Sequence, residues 1–169
     1  FLQAGVGGMA AGVICGIAKY FKRIPKIIVI EPEEANCVMK SIKYGTLKKV
    51  NIKNQSIMGG MSCAEVSLVP WRILKNAVNN CVSVSDKYVP QTLTMLAKKK
   101  FGDKKIIAGE CSTPGVISVI SCCNDPLVKK KLEINEESNI LIIGCEGDTD
   151  KNLYNKLYKI GNQRLKKYD

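Results

Sequence analysis

KIIVIEP (26–32) is a continuous run rich in β-branched side chains, the pattern of a strand buried on both faces of a parallel sheet. Around it the apolar positions switch between the strand and helix periods. FLQA (1–4) reads as a short strand, followed by a glycine turn at Gly5–Gly8 and a helix from Met9 to about Phe21. EPEEANCVMKSIKYG (31–45) sets Ala35, Val38, Met39 and Ile42 at helical spacing and stops at Gly45. CVSVS (81–85) alternates as a strand. The next helix opens on Ser85 or Asp86 as its cap and places Val89, Leu93 and Leu96 on one face. NILIIG (139–144) predicts another buried strand, and DTDKNLYNKLYKIG (148–161) a last helix carrying Leu153, Leu157 and Ile160 and ending at Gly161. This alternation predicts an α/β fold, a mainly parallel sheet flanked by helices. No repeat or linker-like stretch divides it, so residues 1–169 are expected to form part of one domain.

Composition narrows the chemistry. Among 169 residues there is no histidine, which excludes within this chain a Ser-His-Asp or Cys-His nucleophile, an HExxH zinc site and any imidazole base. The eight cysteines include no CxxC spacing, so no metal site is expected and most thiols should be free in a reducing, cytoplasmic setting. A net charge of +11 is spread over short lysine clusters such as Lys98–Lys100 and Lys129–Lys131. Few aromatics interleave them, which favours solvated faces over a nucleic-acid surface. Residues 1–18 carry no charge, but Gln3 and the glycines at 5, 7 and 8 split the run, and no membrane span is expected. Starting on Phe1 inside an apolar run, the sequence reads as a piece of a longer chain.

The strongest local signal is strand, glycine loop, helix, strand. Glycines let backbone amides crowd an anion at a helix N-terminus. Three readings fit. Gly5, Gly7 and Ala10 match GxGxxA, with Glu31 ending the next strand where a ribose-binding acid of an NAD-dependent oxidoreductase belongs. A phosphate-bearing cofactor such as pyridoxal phosphate would need only the loop. A close helix–strand contact would need only small residues. Glu31 and Glu146 can equally cap helices, Trp71 can be plain core, and Asp148–Asp150 an N-terminal cap.

Five stretches resolve these alternatives: FLQAGVGGMAAGV (1–13), IVIEPEEANC (28–37), SIMGGMSCAEVSLVPWRIL (56–74), IIAGECSTPG (106–115) and LIIGCEGDTD (141–150). In this order, and nearly without gaps from Phe1 to about Tyr154, they resemble the diaminopropionate ammonia-lyase family, pyridoxal-phosphate enzymes of the tryptophan-synthase-β-like fold (fold type II). The resemblance implies α,β-elimination of 2,3-diaminopropionate to pyruvate and ammonia, an amino-acid substrate, pyridoxal 5'-phosphate as cofactor and a cytoplasmic homodimer at full length. It also implies that the Schiff-base lysine and the acid–base aspartates lie upstream. Residues 1–169 would then be the C-terminal part of the catalytic domain, with no catalytic residue of their own. What the chain would contribute is the phosphate loop, Gly5, Val6, Gly7, Gly8 and Met9. Cys145 would stand where related enzymes place a Ser or Thr against the pyridine nitrogen, a weaker hydrogen-bond partner. Glu110 falls in an active-site segment, and Cys37 and Cys63 match family cysteines that could lie close enough to bridge. The chain departs from the family pattern at Cys111–Thr113, Val66, Thr92–Thr94 and Cys145. These departures leave an inactive remnant of the family as a non-enzymatic alternative.

Overall fold

A computed structural model describes residues 1–167. They fall into two compact units, Phe1–Asp86 and the unit beginning at Lys87.

The first unit is built on a parallel sheet of β1 (Leu2–Gln3), β2 (Ile28–Pro32) and β3 (Asn80–Val84), in the order β1-β2-β3. Leu2 pairs with Val29 and Gln3 with Ile30, while Val29 and Glu31 pair on the other side with Cys81 and Ser83. The central β2 is buried along its whole length, as its uninterrupted apolar run requires. Three helices cover the sheet: α1 (Gly8–Tyr20), α2 (Cys37–Tyr44) and α3 (Leu68–Ala77). α1 buries the stripe Ala10, Ala11, Ile14 and Ile17, and it packs on α3, whose Trp71 and Leu74 are core residues. α2 ends where Gly45 turns left-handed at φ 68°, a conformation glycine adopts without a Cβ penalty.

The second unit is helical: α4 (Val89–Ala97), α5 (Pro114–Asn124), α6 (Pro126–Leu132) and α7 (Lys151–Leu165). Val89, Leu93 and Leu96 are buried, on the face their spacing predicts. Proline at the first turn of α5 and α6 starts both helices without wasting an N–H, and the Asp125 carboxylate caps α6 by accepting from Leu127 N at 2.9 Å and Val128 N at 3.1 Å. Asp150 caps α7, accepting from Leu153 N at 2.9 Å.

Three expectations are corrected. Residues 139–144 form no strand, and Ile140 and Leu141 are 36% and 54% exposed. Among the described residues, no strand is assigned in this unit, so the ladder that would bury them does not form within it. α7 does not end at Gly161 but runs to Leu165. Gly161 is buried because a Cβ there would collide with Pro90 O and the Thr94 hydroxyl, so α4 and α7 meet at this point. Asp86 does not cap α4. Its carboxylate accepts from Ser56 Oγ at 2.6 Å and Ile57 N at 2.8 Å, tying the loop 56–57 to the end of β3. No helix among the described residues is long and apolar enough to cross a membrane, and Lys98–Lys100 are exposed.

Candidate functional site

In the first unit, three sequence stretches that are distant along the chain converge on the glycine loop. A Cβ at Gly5 would lie 2.7 Å from Gly60 O and 2.9 Å from Cys63 Sγ, so the loop and the segment 60–63 touch backbone to backbone. Gly7 has φ 93° and is buried, and a Cβ there would meet Leu74 Cδ1 at 2.7 Å and Pro70 Cβ at 3.1 Å. Ser67 N donates to Val6 O at 3.0 Å, locking the loop to the start of α3. Packing therefore demands glycine at 5 and 7. It does not demand glycine at 8, where nothing lies within 4 Å of a Cβ position and the residue is exposed.

This open position heads a 13-residue helix with no acidic side chain in its first turn. The first N–H groups of a helix have no intrahelical acceptor and sit at the positive end of its dipole. Gly5–Met9 thus present backbone donors and an accessible approach at Gly8, with no carboxylate in the first turn of α1. That donor set fits a phosphate ester.

Glu31 is fully buried, and both its carboxylate oxygens are committed. Oε1 accepts from Val38 N at 2.7 Å and Oε2 from Met39 N at 2.8 Å, so Glu31 caps the N-terminus of α2 and is not available to a ribose. Burial pushes its carboxyl up to about 7 against the pull of these two amides and the Cys37 thiol. Cys37 Sγ also lies 3.7 Å from Gly5 O. Burial and the Glu31 charge push the Cys37 thiol up to about 12. Cys37 and Cys63, both thiols here, therefore flank Gly5 from two sides.

In the second unit the other two motif stretches meet. A Cβ at Gly109 would strike Gly147 O, and one at Gly115 would strike Ile142, so residues 109–115 and 142–147 are in close contact. Ser112 stitches them: its Oγ donates to Glu146 O at 2.7 Å and accepts from Glu146 N at 2.7 Å. Glu146 Oε2 accepts from Cys111 N at 3.0 Å, and the Cys145 thiol donates to Cys111 O at 3.4 Å. Glu146 thus accepts from an N-terminal amide of the short 3-10 helix Glu110–Ser112, a helix-capping contact. Glu110 is half-buried, and its carboxyl is raised by burial and by the negative charges of Glu146 and Asp150. Cys145 is exposed.

Sequence reasoning missed the residues that shape these clusters rather than line them: Gly60, Pro70 and Leu74 around the loop, and Ser112 below Cys145. Trp71 is core, the plainer of its two readings. Two departures from the family pattern have structural roles. Val66 is buried beside Gly7, 3.4 Å from a Cβ there, and the buried Thr94 hydroxyl donates to Pro90 O at 2.9 Å and Tyr158 O at 3.1 Å.

Comparison with known proteins gives a consistent picture. Residues 1–146 match the family described as pyridoxal-phosphate dependent enzyme. The chain is 31% identical over 160 residues to the diaminopropionate ammonia-lyase of Escherichia coli strain K12, covering 92% of this chain and 40% of that protein. The crystal structure of the Escherichia coli diaminopropionate ammonia-lyase in complex with D-serine superposes with a TM-score of 0.82 at 30% identity, over 95% of this chain and 40% of that one. Maize serine racemase shares the fold, with a TM-score of 0.74 at 19% identity over 97% of this chain and 47% of that one. The chain spans about two fifths of the length of the ammonia-lyases it matches.

Proposed function

Since the chain belongs to the pyridoxal-phosphate dependent enzymes, we propose that it supplies the cofactor-phosphate cradle of an ammonia-lyase that removes ammonia from 2,3-diaminopropionate to leave pyruvate. The observation that carries this reading is Gly8. Gly8 opens α1 and nothing lies within 4 Å of a Cβ there, so its backbone stays open to the close approach of an anion at the helix N-terminus.

In this reading Gly5, Val6, Gly7, Gly8 and Met9 hold the phosphate through backbone N–H groups, and the α1 dipole adds to their pull. The packing of Gly5 and Gly7 against Gly60, Cys63 and Leu74 fixes those donors before the ligand arrives, so little ordering cost falls on binding. In this reading Cys145 takes the place of the Ser or Thr that meets the pyridine nitrogen in related enzymes. A thiol donates and accepts weakly there, so it leaves the ring less protonated than a carboxylate would. Glu110, with its raised carboxyl, is suited to hold a proton near the reacting groups. When bound, pyridoxal phosphate acts as the electron sink that acidifies the substrate's α-carbon. We assign the lysine and the acid–base aspartates to the part of the relatives' length that this chain does not span.

Titration of the full chain with pyridoxal phosphate and with phosphate-free pyridoxal, followed by Trp71 fluorescence, tests the cradle. Gly8→Asp should weaken pyridoxal phosphate at least about tenfold by placing a carboxylate against the anion, leave pyridoxal unaffected, and shift the unfolding midpoint little. Equal affinities in wild type and Gly8→Asp would refute the reading.

A further inference from the structure

Among the described residues, Glu31 is the only acidic side chain that is buried, and the function proposed above gives it no role. Its position in the sheet is specific. Gln3 pairs with Ile30, and Ala4 N donates to Ile30 O at 2.9 Å, so the register continued by one residue sets Ala4 beside Glu31. Neighbouring strands lie about 4.8 Å apart, which puts Glu31 next to the residue from which the glycine loop departs. Cys37 closes the same distance from the other side, because its thiol bonds the Glu31 carboxylate and lies 3.7 Å from Gly5 O.

Among the described residues, no cation is one of the groups that act on Glu31. The groups that act on Glu31 are the Met39 and Val38 amides and the Cys37 thiol, all on α2. From β3, the Cys81 thiol feels the Glu31 charge, and burial with that charge pushes it, like Cys37, up to about 12. Both thiols stay neutral near pH 7, and Cys63 faces Cys37 from the segment beside Gly5. An unpaired charge inside the protein is screened far less than one at the surface. An anion bound on Gly5–Met9 therefore sits within the field of Glu31.

We propose that Glu31 is an electrostatic brake beneath the glycine loop: ionised, it lowers the loop's affinity for a dianionic phosphate group, and protonated, it releases that affinity. The proposal rests on the loop's being the phosphate cradle. Because burial raises the Glu31 carboxyl to about 7, both states are populated near neutral pH, and the loop grips its anion more tightly as pH falls. Coupling is reciprocal, so a bound anion in turn favours the protonated carboxyl.

Sulfate is the probe, since it stays a dianion across the range and its own titration does not confuse the result. The full chain is titrated with sulfate at about pH 6 and about pH 8, either side of the raised carboxyl, with ionic strength held by chloride. Wild type should bind on the order of tenfold more tightly at the lower pH, and Glu31→Gln should bind with one affinity at both. Glu31→Asp, which keeps a titrating carboxyl, should restore the difference. An undiminished pH ratio in Glu31→Gln, or none in wild type, overturns the brake.

Gln offers one acceptor to two amides, so a second reading does not depend on that variant folding. In wild type, the Glu31 carboxyl carbon followed by NMR should titrate at higher pH with sulfate than without it. An unmoved midpoint overturns the proposal as well. Gly8→Asp separates the two claims. Sulfate binding that ignores Gly8→Asp removes the cradle and the brake together, whereas binding lost in Gly8→Asp with an unchanged pH ratio in Glu31→Gln removes the brake alone.

Discussion

The two motif clusters are held by different forces. Around the glycine loop, shape does the holding: Gly5 abuts the backbone of Gly60, and Gly7 abuts Leu74 and Pro70. Around Cys145, close contacts at Gly109 and Gly115 are joined by side-chain hydrogen bonds: Ser112 exchanges two of 2.7 Å with Glu146, and Glu146 reaches back to Cys111 N. Steric contact tolerates no added atom but ignores pH and salt. A polar stitch tolerates small changes of volume but fails when one partner is lost. The first cluster is therefore suited to holding a rigid backbone shape, and the second to small local adjustment.

This contrast is open to attack from either side. The largest effect should come from Gly7→Asp, which forces a side chain into a left-handed backbone and against Leu74. We expect a loss of about 4 kcal/mol in chemical unfolding of the apo chain, from the backbone penalty plus overpacking. Gly8→Asp should shift the unfolding midpoint little.

Next, mild oxidation should test whether Cys37 and Cys63 can join across Gly5. A bridge closing their loop would add on the order of 3 kcal/mol, less any strain. Thiol labelling that stays complete after oxidation would rule the bridge out.

Third is the pH dependence from Glu31. Its carboxyl stands at about 7 folded against 4.5 as the ordinary value, so the folded state holds the proton more tightly. The resulting stability is fully present below about pH 4.5 and is lost as pH rises through about 7, by roughly 2–3 kcal/mol. Unfolding between pH 5 and 8 in wild type and Glu31→Gln checks it, the variant being flatter by that amount. The smallest effect, about 1–2 kcal/mol, should follow Ser112→Ala, which leaves Glu146 N and O without this partner.

What the sequence made legible follows the same division. KIIVIEP announces a doubly buried strand, and β2 is one because β1 and β3 flank it. NILIIG is likewise rich in isoleucine but forms no strand, because burial of a strand is conferred by neighbours that its own residues do not specify. Asp86 and Gly161 carry correct local signals that tertiary partners override. A carboxylate at 86 finds Ser56 and Ile57 before it finds a helix N-terminus, and a glycine at 161 serves close approach to Pro90 rather than a helix stop. The loop glycines were readable as a group, yet spacing alone gave Glu31 two meanings. Only its burial and its bonds to Val38 and Met39 separate a helix cap from a ribose acid.

The sheet of the first unit has one further property: its spatial order, β1-β2-β3, repeats its order along the chain. Among the described residues β2 pairs with β1 and β3 with β2, each with the strand that comes before it in this sequence. Assembly of this kind can advance in step with translation, because every pairing is available once its second strand leaves the ribosome. Residues 1–86 supply all three strands and both sides of the glycine loop, including Cys63 and Leu74. The glycine loop and its packing partners can therefore assemble in a nascent chain before the helices from Lys87 onward have been made.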